Sequence, residues 1–109
     1  MIGKERQDIE MTELASIKEL AKFFNTKALR TAMKNGDELQ AVLGGFRFGV
    51  AICTATEPDE PRYYHIECER LKDNLLCPFR PNLICRGDEL YLKKCFVNCA
   101  KAEFGDKYK

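Results

Sequence analysis

The sequence has no apolar run approaching the ~20 residues needed to cross a bilayer as a helix, so it predicts no transmembrane segment. The stretch from Met1 to Asp8 also lacks the apolar core of a secretory signal. We therefore expect one of two settings. The chain is a mature secreted protein, able to act inside a host cell, or it is a cytoplasmic protein.

An excess of charge of one sign is also lacking, because 18 basic side chains are balanced by 17 acidic ones. A net charge near zero argues against duplex nucleic acid or an anionic membrane as the main partner. Low-complexity tracts are missing as well, which indicates a globular chain rather than a disordered one.

The motifs of common enzymes are missing too. The chain has no glycine-rich phosphate loop and no paired-carboxylate motif. His65 is the single imidazole that could activate a cysteine nucleophile. We therefore predict that the protein is not an enzyme.

The chain is long enough for one compact unit, since 109 residues bury a modest core but not two independent cores. We predict a single domain with a helical segment at 12–35, a β-hairpin region at 39–72 and a cysteine-rich region at 73–109. The expected fold class is α+β, with the N-terminal helical segment packed on a small antiparallel sheet and an irregular C-terminal region.

Helical periodicity marks residues 12–35, where apolar residues recur at spacings of three and four: Leu14, Ile17, Ala21, Phe24 and Ala28. Thr12 is the expected N-cap, and Asn35-Gly36 is the expected end. Asn25-Thr26 predicts a break into two helices, because both residues favour caps over helix interiors.

Aromatic and β-branched residues mark a strand from Phe46 to Thr56, and residues 62–71 alternate like a second strand. The proline-containing segment between them predicts an antiparallel hairpin. A turn centred near Asp59 and Glu60, with a register slip of two, would place Cys53 opposite Cys68. That pair could form a cross-strand disulfide or supply two ligands to one ion.

All six cysteines lie in the second half of the chain. An even count in a small protein suits disulfides in an oxidising compartment, whereas a reducing compartment favours metal. A short helix from Cys95 to Phe104, ending at Gly105, would place Cys95 and Cys99 one turn apart on one face. Leu90-Tyr91-Leu92, just before it, has a strand-like pattern.

The spacing from Cys77 to Cys85, Tyr91, Cys95 and Cys99 resembles the core signature of Kazal-type serine protease inhibitors, as found in cysteine-rich secreted effectors of plant-pathogenic fungi. The resemblance covers residues 68–99, and the final cysteine of the family has no counterpart after Cys99. It implies that Cys68 pairs with Cys99 and Cys77 with Cys95, leaving Cys85 to pair with Cys53 or with nothing. It also implies a reactive loop at residues 78–80.

Zinc is the alternative, because thiolate and imidazole are its preferred ligands and structural sites take four of them. The residues that could ligate zinc are His65, Cys68, Cys77, Cys85, Cys95 and Cys99, with Cys53 as a further candidate. Residues 56–109 are polar and interrupted by prolines, so we expect that their own apolar burial does not offset the loss of chain entropy on folding. A zinc ion can supply on the order of 10 kcal/mol of folding free energy and a disulfide about 2 to 4 kcal/mol.

These observations predict a non-enzymatic, zinc-stabilised protein-interaction module resembling a secreted effector. Two alternatives stay open. One is a disulfide-bonded Kazal-like serine protease inhibitor. The other is an intracellular zinc-binding regulator that contacts nucleic acid through four basic residues of the helical segment: Lys22, Lys27, Arg30 and Lys34.

Overall fold

The computed structural model describes residues 12–53, 62–77, 83–85 and 87–108, with backbone alone for 83–85. Its helices are α1 (Ile17–Phe23), α2 (Thr26–Asn35) and α3 (Glu89–Phe104). Its strands are β1 (Thr12–Glu13), β2 (Leu39–Leu43), β3 (Phe46–Cys53), β4 (Tyr63–Arg70), β5 (Leu75–Cys77) and β6 (Leu83–Cys85). The predicted α+β class is confirmed. The expected strand end at 54–56 and the expected reactive loop at 78–80 lie outside the described residues.

The strands form one mixed sheet in the order β1-β2-β3-β4-β5, with β6 paired to the same edge of β4 as β5. Every pairing is antiparallel except that of β1 with β2. The expectation of a wholly antiparallel sheet is therefore wrong at β1. The expected order along the chain, with helices before strands, is also wrong, because β1 precedes α1.

Helices α1 and α2 are separate, as the Asn25-Thr26 pattern predicts. Asn25 caps α2 by accepting a hydrogen bond from the Ala28 amide, and Gly36 ends this helix in the left-handed conformation. The expected N-cap at Thr12 is wrong, because Thr12 pairs with β2 and Ser16 caps α1 instead. The two helices are thus set by capping residues close to the predicted break.

The hairpin of β3 and β4 is present, but its predicted register is wrong by five residues. Cys53 lies opposite Tyr63, and Cys68 lies opposite Phe48. The observed pairing puts Phe48 and Val50 on the same face as Tyr64, Ile66 and Cys68, all of which are buried. A pairing of Cys53 with Cys68 would bring Glu67 and Glu69 to that face, because an odd slip turns every side chain over.

The C-terminal region is more regular than its prolines predict. α3 begins at Glu89, six residues before the expected start, and ends before Gly105 as predicted. Leu90-Tyr91-Leu92 is part of this helix, so its interpretation as strand is wrong. The spacing of four from Leu92 to Phe96 and Ala100 explains the difference, since all three are buried on one helical face.

The three helices lie against one face of the sheet, and the core is the layer between them. Aromatic contacts join the two layers. The ring centroids of Phe24 and Phe96 are 4.6 Å apart, and those of Phe48 and Phe96 are 5.6 Å apart. In the described part of the chain, no helix is both long enough and apolar enough to cross a membrane.

A buried polar contact ties α3 to the start of β4. The Tyr64 hydroxyl oxygen lies 2.6 Å from Glu89 Oε2 and 3.3 Å from the Leu29 carbonyl oxygen of α2. The Glu89 carboxylate also accepts a hydrogen bond from the Gly87 amide, and Arg30 Nε lies 3.6 Å from it. Glu89 is therefore buried with its acceptors satisfied, as a charge in a core must be.

Candidate metal centre

Three cysteines meet at the end of β4 that is remote from Tyr64. Cys68 of β4 lies directly opposite Cys77 of β5, at the base of the hairpin joining these strands. The connecting turn includes Asn74 in the left-handed conformation, which asparagine tolerates better than most residues. α3 brings Cys99 across the sheet to the same point. Two neighbouring strands and one helix thus each supply a thiol.

The sulfur positions suit a small thiophilic ion. The Sγ atoms of Cys68, Cys77 and Cys99 all lie within 4.8 Å of one another, and those of Cys68 and Cys99 are 3.5 Å apart. Two sulfurs bound 2.3 Å from a tetrahedral zinc are about 3.8 Å apart, which is close to the 3.5 Å contact and within the 4.8 Å limit of the group. Cys68 is fully buried and the other two are half-buried, which shields the cluster from water on one side.

The three thiols influence one another's ionisation. The hydrogen bond with Cys99, followed by burial, raises the pKa of Cys68 well above its usual value. The same hydrogen bond lowers the pKa of Cys99 against the opposing effect of burial. Burial raises the pKa of Cys77. Each thiol must lose its proton close to the negative charge of its neighbours, so a bound cation would favour the thiolate forms of all three together.

His65 lies on the opposite face of the sheet. It is three residues before Cys68 on β4, so the alternation of side chains directs the two residues to different faces. His65 Nε2 lies 3.6 Å from a Glu67 carboxylate oxygen, beside Arg47, which donates to both Glu67 and Glu69. The structure therefore does not bring the proposed His65 ligand to the cysteine cluster.

Cys95 also lies outside the three-sulfur group, although it is one turn before Cys99 on α3. It packs partly against the core, and its thiol interacts with Tyr91. The pairing implied by the Kazal resemblance joins Cys77 to Cys95, whereas here Cys77 lies with Cys68 and Cys99. The other implied pair, Cys68 and Cys99, is brought together.

Cys53 of β3 and Cys85 of β6 both pair with Tyr63, one on each edge of β4. Tyr63 is at the end of β4 that is remote from the cysteine cluster. Two strand spacings separate them, about 9.5 Å, which exceeds the ~7 Å limit between the Cα atoms of a disulfide. The distance along β4 from this row to Cys77 is about 17 Å. Neither residue is positioned to complete the cluster.

The structure also shows a feature that the sequence analysis missed. Leu71, Leu75 and Leu76 are exposed around the turn of the β4–β5 hairpin, the last two by 55% and 56%. Cys68 and Cys77 close the base of this loop. The sequence pattern that could have predicted this hairpin is the polar turn Lys72-Asp73-Asn74, which has leucines on both sides and a cysteine beyond them on each side.

The basic residues of the nucleic-acid alternative are distributed over both helices. Lys27, Arg30 and Lys34 lie along α2 and line a shallow surface with Thr26 and Thr31. Lys22 lies in the last turn of α1, and Arg30 is also close to Glu89.

No protein-family model, curated protein or solved structure matches this chain.

Proposed function

We propose that the chain is a non-enzymatic, zinc-stabilised protein-interaction module, in which the metal fixes a leucine-bearing hairpin against the domain. The observation that carries this proposal is the meeting of Cys68, Cys77 and Cys99 within 4.8 Å. Thiolates at this spacing match a soft or borderline divalent ion, and zinc is the most common ion with such ligands in structural sites.

Zinc accounts for the cluster better than a disulfide does. The five cysteines with described side chains are all free thiols, and a disulfide would use two of the three sulfurs. The third thiol would then lie beside the disulfide without a bonding partner in the cluster. A metal ion uses all three and relieves the mutual repulsion of their thiolates.

The interaction surface of the proposal is the hairpin tip formed by Leu71, Leu75 and Leu76. Leu75 and Leu76 are consecutive on β5, so their side chains leave opposite faces of the hairpin, and with Leu71 they expose large apolar side chains around its tip. Exposed apolar side chains gathered in one region are typical of surfaces that bind another protein. A metal at the base would hold the tip in one conformation, so less conformational entropy is lost when a partner binds. The expected partner presents an apolar groove or patch.

Metal content tests the first half of the proposal. Native mass spectrometry of the purified chain should show one zinc per molecule, and thiol titration after denaturation in chelator should find six free thiols. Cys99→Ser should lose the metal, whereas the matched control Cys95→Ser, one turn away, should keep it. A metal-free wild-type chain whose mass is lowered by two hydrogens per disulfide would overturn the zinc proposal.

Paired capture experiments test the second half. A binding partner recovered with the wild-type chain should be lost with Leu75→Ser/Leu76→Ser. It should be retained with Leu90→Ser, which alters an exposed leucine on α3 outside the tip. Equal capture by both variants would rule out the hairpin tip as the interaction surface.

A further inference from the structure

The three-cysteine cluster leaves one position of a tetrahedral zinc site unassigned. Structural zinc sites are almost always four-coordinate, and the donors include carboxylate oxygen as well as sulfur and nitrogen. The six residues that the sequence offers as ligands provide only three sulfurs at the cluster. A fourth donor within the described residues must therefore come from another residue type.

Helix α3 carries an acid at the appropriate spacing. Glu103 follows Cys99 by four residues, so the two side chains lie one above the other on the same helical face. Glu103 is exposed, and no hydrogen bond or ion pair of its carboxylate is seen among the described residues. Its carboxylate is not among the donor atoms grouped within 4.8 Å of one another, so binding requires the side chain to turn toward the cluster, and it can do so without losing a contact.

The charges around the mouth of the cluster agree with this placement. The negative charge of Glu103 acts on the thiols of both Cys77 and Cys99, opposing their ionisation. The positive charge of Arg70 acts on Glu103 and on Cys77. A bound divalent ion would attract the Glu103 carboxylate and favour the thiolate forms of the cysteines.

We propose that Glu103 is the fourth ligand of a zinc site whose other three ligands are Cys68, Cys77 and Cys99. This inference rests on the proposed function, because it requires that the three thiols bind zinc. The resulting set of three thiolates and one carboxylate carries a formal charge of −4, reduced to −2 by the ion. Arg70, whose guanidinium binds Asp73 at 2.7 Å, interacts electrostatically with Glu103 and Cys77 and offsets part of this negative charge.

Cobalt(II) substitution for zinc provides the test, since thiolate-to-cobalt charge-transfer absorption scales with the number of bound thiolates. The full-length wild-type chain should show three thiolates on a tetrahedral ion. Glu103→Gln should weaken zinc binding at least tenfold. Tenfold is the smaller loss of affinity that follows when a residue supporting a metal ligand is mutated, and a direct ligand should cost no less. Glu103→Cys should restore tight binding and raise the charge-transfer absorption by about one third.

Glu38→Gln is the matched control, because it makes the same change at an exposed glutamate of the segment between α2 and β2. It should bind zinc as the wild type does. If the wild type binds zinc tightly, Glu103→Gln binds equally tightly and Glu103→Cys adds no thiolate signal, then this inference is overturned while the proposed function stands. If the wild type binds no metal, both are overturned.

Discussion

The two ends of β4 are tied to the rest of the molecule by different chemistry. At the Tyr64 end, a buried hydroxyl and a buried carboxylate join β4 to α3, and their hydrogen bonds are complete within the chain. At the Cys68 end, three thiols meet with one 3.5 Å sulfur contact between them, a much weaker hydrogen bond. The first end is complete without a ligand, whereas the second, under the proposed function, gains most of its strength from a bound ion.

The largest expected effect comes from breaking the Cys68 end. Cys68→Ser removes the buried ligand, so the free energy that zinc adds to folding should be lost. That loss is about 4 kcal/mol when free zinc is a thousandfold above its dissociation constant. The melting temperature in zinc should fall by roughly 15 to 30 °C, measured by circular dichroism. Cys53→Ser should melt as the wild type does, and equal melting of all three proteins with and without chelator would contradict the comparison.

The next largest effect is expected at the Tyr64 end. Tyr64→Phe keeps the ring in the core but leaves the buried Glu89 carboxylate without its shortest hydrogen bond, which should cost about 1 to 3 kcal/mol. Urea denaturation measures this loss, and chelator should not change it. Tyr63→Phe, the neighbouring residue on the other face, is the control and should stay within about 0.5 kcal/mol of the wild type. A loss that disappears in chelator would show that the two ends are not independent.

Acid should weaken the Tyr64 end through Glu89. Burial is the largest single effect and opposes ionisation of this carboxyl, but the hydrogen bonds from Tyr64 and from the Gly87 and Glu89 amides, together with the charge of Arg30, outweigh it and lower the pKa of Glu89. A carboxyl with a lowered pKa in the folded state stabilises the fold above its unfolded pKa, near 4.3, and this contribution is lost as the pH falls further. In chelator, the wild type should therefore lose more stability between pH 6 and pH 3 than Glu89→Gln does.

Glu67→Gln gives the comparison for that acid titration. The hydrogen bond from Arg47 lowers the pKa of Glu67, so this residue also contributes stability that acid removes. Its side chain is 36% exposed, whereas that of Glu89 is 2% exposed. Solvent screens the exposed group more strongly, so Glu67→Gln should flatten the pH dependence less. The opposite ranking would contradict the assignment of acid sensitivity to the buried end.

The smallest effect on stability is expected at the hairpin tip. Leu75→Ser/Leu76→Ser should change the free energy of unfolding by less than about 0.5 kcal/mol per residue, because both side chains are already largely in water. Thermal melts in zinc measure this directly. A clear destabilisation would mean that the leucines pack within the domain and are not a free binding surface.

The sequence predicts well those features that depend on local chemistry. Asn25 caps a helix, Gly36 ends it in the left-handed conformation, and Gly105 follows the last helix, all from the preferences of single residue types. The hairpin of β3 and β4 also follows from local alternation. Its register does not, because it depends on which face is buried, and that is decided by helices distant in sequence.

The candidate metal site likewise depends partly on local sequence and partly on long-range packing. Cysteine spacing identifies the residue type, and Cys68, Cys77 and Cys99 are among the expected ligands. The selection of three among the candidates depends on the alternation along β4 and on the docking of α3. His65 and Cys68 are close in sequence, as zinc ligands often are, yet an odd separation on a strand puts them on opposite faces. Sequence spacing alone does not show that His65 is on a strand.

The pairing of Cys68 with Cys77 also bears on the order in which the site can assemble. Only eight residues separate these two thiols, so forming the local hairpin is enough to bring them together. Cys99 is 31 residues from Cys68 and arrives only when α3 docks on the sheet. We expect a weak two-thiol intermediate early in refolding and tight metal capture late, so that metal uptake reports on completion of the C-terminal helix.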